Sequence, residues 1–389
     1  MANITGTTED TGRTGGVAVA ERVAAAHALW MSTLPTIRRA PVGELLPQPL
    51  RTAELELPTE PIAAPALVVG GAIAGTHGPI SDLAVSSDGG RLVAAHYADD
   101  VVSIVDTAAM AVTATITDVP EPYRVTVADR AYVSSASDSD DAVVAIDTTT
   151  GRALAATIVD ETAAGIAVNP AGDVLYVGRN GDEVVDIAAI DVETGATRVI
   201  ELTTAPGASV DAIRVSADGT KVFAAVTTPA GGSLAIIDTR SGAVQRTAAL
   251  GGSIGDIAVA PRGRKVFVTG WDAELGGVIH VVDAAAARLI DTVALGGLPT
   301  QLVFGRGGDI AFVVDRDQIV VLCTATHEVI DSVVIGGQLS CLAASPDGAQ
   351  LYAADYAGTI TALRVEAGTG HALHELVSTG LRELAAAAS

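Results

Sequence analysis

"KVFVTGWDAELGGVIHVVDAAAARLIDTVALGG", residues 265–297, breaks into three short apolar runs, VFVTG, VIHVVD and LIDTVAL, separated by small turn residues. A fourth run, DIAVA, lies just upstream at 256–260. Four strands of this length cannot bury both faces of their own sheet. Such a unit is stable only when copies of it stack side by side, so the fold turns on whether the chain repeats it.

It does. The first run recurs as "LAVSSDG" (83–89), "IAVNPAG" (166–172), "IRVSADG" (213–219), "IAVAPRG" (257–263) and "LAASPDG" (342–348), with weaker copies "VTVADR" (125–130) and "LVFGRGG" (302–308). Their leading apolar residues, Leu83, Val125, Ile166, Ile213, Ile257, Leu302 and Leu342, are spaced 40–47 residues apart. Third runs follow as "VVSIVDT", "VVAIDT", "LAIIDT" and "VIHVVDA", and fourth runs end in paired glycines in "TAALGG", "TVALGG" and "SVVIGG". Six of the ten Tyr and Phe residues share one slot in the second run: Tyr132, Tyr176, Phe223, Phe267, Phe312 and Tyr352, with Val93 there in the first copy. A chain with 3% aromatics that places them this way is packing one contact repeatedly. Four β-rich runs per period, seven times over, predict an all-β, seven-bladed β-propeller of four-stranded antiparallel blades. The turns agree. Asp-Gly closes the first hairpin, where a left-handed conformation is needed. The Asp after the third run (Asp106, Asp147, Asp238) fits an Asx turn better than a metal ligand.

At this point "SPDGAQLYAADYAGTITALRV" (345–365) and "KVFVTGWDAELGGVIHVVD…LIDTVALGGLP" resemble the YVTN-type β-propeller repeat. That unit has an SPDG turn, an aromatic-Val strand, a V-x-V-I-D strand and a closing I-x-V-G-x-x-P strand. The resemblance covers about residues 66–377; the second copy departs from it by lacking the SPDG turn. The single-domain layout and Pro-rich leader also resemble actinobacterial, mycobacterial propeller proteins. The resemblance implies the fold but no activity, since the wider group holds surface-layer and stress-linked binding proteins, and sugar-lactone hydrolases form a neighbouring group.

Three segments are expected: an N-terminal extension (1–65), the propeller (66–377) and a C-terminal tail (378–389). Within the extension, Val17 to Leu34 has the spacing of a short amphipathic helix, and residues 35–65 hold seven of the sixteen prolines. Ring closure has two candidates. "ALVVGG" (66–71) copies the fourth-run ending and can complete the last blade as its outer strand, which hides an edge. Its rival is "HALHELV" (371–377). The first is favoured.

Acids outnumber bases 46 to 23, for a net charge of −23. That excludes a charge-driven grip on nucleic acid or an anionic membrane. There is no run of 18 apolar residues to span a membrane and no secretory signal pattern, so the expectation is cytoplasmic, with export by another route or envelope association left open. Cys323 and Cys341 belong near opposite faces of the ring and should not pair. A monomer without cofactor is expected. The run "SDSDD" (137–141) lacks the spacing of a calcium loop.

Function belongs to the loops that break the repeat. Those between second and third runs carry Tyr97, Asp99, Asp138, Asp140, Arg179, Trp271, Asp272, Glu274, Asp315, Arg316, Asp317 and Tyr356. Acids with interleaved aromatics suit a basic peptide or protein partner, where carboxylates steer and aromatics anchor. A second set, Asp82, Arg124, Asp211, Asp256 and Gln301, falls at the channel mouth just before the repeat anchors. Arg124 there raises the alternative of a lactonase-type hydrolase, although no Glu or His occupies these slots. No Gly-x-Ser-x-Gly elbow, phosphate loop or His-rich metal motif occurs. The sequence therefore favours a non-catalytic binding platform over an enzyme.

Overall fold

The computed structural model describes residues 64–74, 77–137, 141–159 and 161–366. They form seven four-stranded antiparallel sheets. The first strands are Ile80–Val85, Pro122–Val127, Thr162–Val168, Ser209–Val215, Ser253–Val259, Pro299–Phe304 and Leu339–Ala344. Each touches the next, and the last touches the first, so they ring a central axis. The outer strands are the exposed ones, as in Arg152–Val159, where seven of eight residues face solvent. The extension, the tail and the segment holding "HALHELV" lie outside the described residues.

What holds the blades together is the slot read from the sequence. Val93 packs with Val125 and Val133 of the second blade, and Tyr132 with Ile166 and Val177 of the third. Tyr176, Phe223, Phe267 and Phe312 repeat this around the ring, and Tyr352 meets Ile80 and Leu83 of the first blade. Each apolar cluster therefore spans a seam between two blades and contains one slot residue. All seven slot side chains are buried. Phe267 adds an edge-on contact to Phe304, with ring centroids 5.4 Å apart.

The ring closes as expected. Ala66–Ile73 pairs antiparallel with Ile360–Glu366, giving the last blade three strands from the end of the chain and one from its beginning. The repeat turns also behave as read. Ser86, Ser216 and Ser345 donate to Asp88, Asp218 and Asp347 at 2.6 Å. The glycine after each aspartate has φ of 64–74°. Asp106, Asp147, Asp238 and Asp283 accept backbone N–H groups two and three residues on, or three on alone for Asp238. The second blade, which lacks this turn, closes its first hairpin more tightly, with Ala128 N–H donating to the Arg130 carbonyl at 3.0 Å. Both cysteines are buried and free.

Truncating Phe267 to Ala should destabilise the protein by roughly 3–5 kcal/mol, as large-to-small changes in closed cores do. Denaturant unfolding with fluorescence detection would measure it; a loss under 1 kcal/mol would contradict the seam assignment. The turn carboxylates set an acid limit. Hydroxyls of Ser86, Ser216 and Ser345 hold Asp88, Asp218 and Asp347 below the usual carboxylate range, Asp218 at about 2. Backbone N–H groups of Ala109, Thr150, Ser241 and Ala286 do the same for Asp106, Asp147, Asp238 and Asp283. Depressed values mean the stabilisation is complete above about 4 and disappears as pH falls toward about 2. Buried Asp82 and Asp211, whose carboxyls are raised, alter stability above that window, between the ordinary carboxylate value and their own. Melting temperature should therefore drop steeply in that window, and a pH-independent melt there would overturn the account.

Candidate functional site

The ends of the second strands and the starts of the first strands share one face of an antiparallel blade, so the predicted loop residues gather on one rim. The rim is less open than its acid count suggests, because many carboxylates serve the backbone. Asp99 accepts the Gly78 N–H at 2.5 Å and Asp315 the Leu298 N–H at 2.5 Å, each tying a second strand to the chain entering its own blade. Asp100, Asp141 and Asn180 reach the next blade instead, accepting from Glu121, Ala163 and Val210. Asp272 and Asp355 accept N–H groups within their own hairpin turns.

Individual placements follow from these jobs. Asp315 is buried, at 4% exposure, and is no contact surface. Arg179 turns inward and makes a two-point pair with Asp186, at 2.7 and 2.9 Å. Trp271 and Tyr356 are half-buried, and burial pushes the Tyr356 hydroxyl up to about 12. Tyr97, Asp99, Glu274, Arg316 and Asp317 face solvent. Asp138 and Asp140 lie outside the described residues. Tyr123, which the sequence places at the channel mouth one step before Arg124, is exposed at 38% near the start of the second blade, on the same rim as Tyr97 at 39%.

The paired glycines ending the fourth runs now have a reason. The second of each pair lets the incoming chain close on the end of the second strand. A Cβ at Gly297 would run into the Asp315 carboxylate, and one at Gly252 into the Trp271 carbonyl. Side chains there would force the rim apart.

The channel-mouth set splits into two groups. Asp82 and Gln301 form a strap. Asp82 accepts N–H groups of Leu83 and Val125 at 3.0 and 2.9 Å. It also accepts from Gln301 Nε2 at 3.1 Å, and Gln301 Oε1 in turn takes the Leu342 N–H at 2.6 Å. This chain links blades one, two, six and seven across the seam where the ring closes. Burial pushes the Asp82 carboxyl up, against the pull of Arg124 and the Val125 N–H.

Arg124, Asp211 and Asp256 form the other group. Asp211 is held by hydroxyls of Ser209 and Thr227 at 2.7 and 2.5 Å, and burial raises its carboxyl. Asp256, only 2% exposed, pairs through Oδ1 with Arg214 at 2.7 Å, while its Oδ2 has no hydrogen-bond partner among the described residues. Arg124 stacks on Tyr123, with the guanidinium carbon 5.0 Å from the ring centroid. No acceptor among the described residues lies within hydrogen-bonding distance of that guanidinium. The groups whose charge raises its pKa most are Tyr123, Asp82, Asp256 and Cys341, with no glutamate or histidine among them. Among the described residues no three His, Cys, Asp or Glu side chains are placed to hold a metal, and no helix is long and apolar enough to cross a membrane.

The chain is 34% identical, over 320 residues, to the seven-bladed beta-propeller protein Rv1057 of Mycobacterium tuberculosis; the match covers 73% of this chain and 81% of that one. The chain belongs to that propeller family. No protein-family model matches it. A hydrazine synthase chain from Kuenenia stuttgartiensis superposes with a TM-score of 0.68 at 20% identity, over 77% of this chain and 99% of that one, which is a likeness of fold alone. Membership accords with the seven blades seen in the structure.

The rim acids divide into structural and surface members, and stability separates them. Asp315→Ala leaves the Leu298 N–H buried and unpaired and should cost about 1–3 kcal/mol. Asp317→Ala, at an exposed turn, should stay within about 0.5 kcal/mol of the parent. Equal losses in denaturant titrations would contradict the division.

Proposed function

We propose that this protein is a non-catalytic binding platform whose loop rim takes a basic peptide or protein segment. The observation that carries the reading is the pairing of exposed Tyr97 and Tyr123 with acids that have no backbone duty, Asp182, Glu183, Glu274 and Asp317, on one face of a rigid ring. Tyrosines offer a large contact area at low entropic cost, and carboxylates at the edge steer cationic segments without being desolvated. The overall charge of −23 supplies a long-range field of the same sign. A hydrolytic role at the axis has less support, because among the described residues the groups that act on Arg124 include no Glu or His, and its Asp neighbours are engaged by backbone N–H, Gln301 or Arg214.

Fluorescence anisotropy with labelled Lys/Arg-rich and Asp/Glu-rich peptides of equal aromatic content tests the reading. The basic peptide should bind preferentially, and its affinity should weaken as salt screens the rim. Asp182→Lys/Glu274→Lys/Asp317→Lys, melting like the parent, should abolish the preference. Equal binding of both peptides, or full binding by the triple variant, would end the proposal.

A further inference from the structure

The ring of inner first-strand positions preceding the repeat anchors reads Asp82, Arg124, Gly165, Ala212, Asp256, Gln301 and Cys341. In two of them the side chain accepts the anchor N–H of the following blade: Asp82 from Val125 and Gln301 from Leu342. Asp256 occupies the same register, yet the corresponding bond from Leu302 is not made, and its Oδ2 is left buried without a partner. A buried carboxylate oxygen with no donor is costly, and native structures fill such positions with a donor from water or ligand. The hydroxyl of Thr300, in the next first strand, is likewise buried with no partner among the described residues.

Arg124 presents the complementary chemistry from the second blade. Its charge acts on Asp82 of blade one, Asp211 of blade four and Tyr356 of blade seven, and Asp256 of blade five acts on it. Arg124 stands at the inner first-strand position that Asp82, Asp256 and Gln301 occupy in their own blades, which places it at the axis. There it is backed by the Tyr123 ring and half-open to solvent, with no acceptor for its donor fork among the described residues. A planar fork of N–H donors matches a carboxylate at two points. Asp256, already neutralised on one side by Arg214, offers an acceptor to a neighbouring hydroxyl or ammonium.

We propose that the channel mouth is a binding site for a small carboxylic acid carrying a hydroxyl or ammonium donor on the carbon next to the carboxylate. Arg124 takes the carboxylate and Asp256 Oδ2 takes the donor. The site shares Tyr123 with the peptide surface but none of its exposed acids, so Asp182→Lys/Glu274→Lys/Asp317→Lys should bind the small acid as the parent does even where peptide binding is lost.

Isothermal titration of the full chain with glycolate, lactate, glycine, acetate and glycolamide tests this. Glycolate and lactate, or glycine, should bind; the hydroxyl and ammonium arms show which donor is preferred. Acetate should bind about tenfold more weakly for want of a donor, and glycolamide, lacking the charge, not measurably. Arg124→Gln should lose binding of every acid. Asp256→Asn should narrow the gap between glycolate and acetate while acetate affinity stays within a factor of about two. Should Arg124→Gln fail to fold, Arg124→Lys, which keeps the charge over Tyr123 but not the fork, should weaken glycolate by about tenfold. No acid binding, equal affinity for glycolate and acetate, or unaltered affinity in the Arg124 variants would overturn the proposal. In the second case Asp256 Oδ2 holds only water.

Discussion

Everything in this protein depends on a single contact repeated seven times, one buried side chain from the second strand of each blade wedged into the seam with the next. No blade has a core of its own, since a four-stranded sheet with one exposed outer strand has nothing else to pack against. The aromatic at the slot fills a seam lined by Val, Ile and Ala, which are too small to span it alone. A ring built this way cannot be stable with one seam open. That explains why closure is secured twice, at the periphery by Ala66–Ile73 beside Ile360–Glu366, and at the axis by the Asp82–Gln301 strap. The first device joins the two ends of the chain within the last blade, and the second ties the first strands of blades one and six together at the axis.

The fold was legible because its determinants are local and repeated. A turn such as Ser86–Gly89, an aromatic such as Tyr352 and an Asp such as Asp238 each carry their reason within a few residues, and recurrence multiplies the signal. The strand that closes the ring could also be read, because "ALVVGG" carries the fourth-run ending in an otherwise unassigned place. The axial strap could not. Asp82 and Gln301 are 219 residues apart, and nothing near either one specifies the other. Their grouping at the channel mouth followed from register alone, and register says where a side chain points without saying what it meets.

The rim shows the same limit in reverse. Twelve acids against two bases in the second-to-third-run loops look like a recognition surface when counted. Their roles differ once the backbone is considered. Loop chains at the rim turn sharply and leave N–H groups that no strand can accept, and carboxylates are the natural acceptors for them. Asp315, Asp100 and Asp141 perform this duty, so their charge is a by-product of stapling strands together. Glu274 and Asp317 have no such duty. An acid count therefore overestimates the free charge of a rim, and the difference is visible only when each N–H has been assigned its acceptor.

At the axis the seven equivalent positions carry six different residue types, and those differences carry meaning. Where Gly165, Ala212 and Cys341 stand, the inner position is small or inert, and the ring is held by backbone packing alone. Asp82 and Gln301 convert the same position into a bond to the next blade. Arg124 and Asp256 do neither: one stacks on its neighbour Tyr123 with no acceptor for its donors among the described residues, the other keeps an oxygen buried and unpaired among them. Where no bond crosses to a neighbouring blade, a smaller residue suffices, as in three other blades. Keeping a carboxylate with one oxygen buried and unpaired among the described residues costs stability. That cost is offset only when a third component completes the hydrogen bonds, and the seven-bladed frame holds the two groups still enough for that component to be selected by its chemistry.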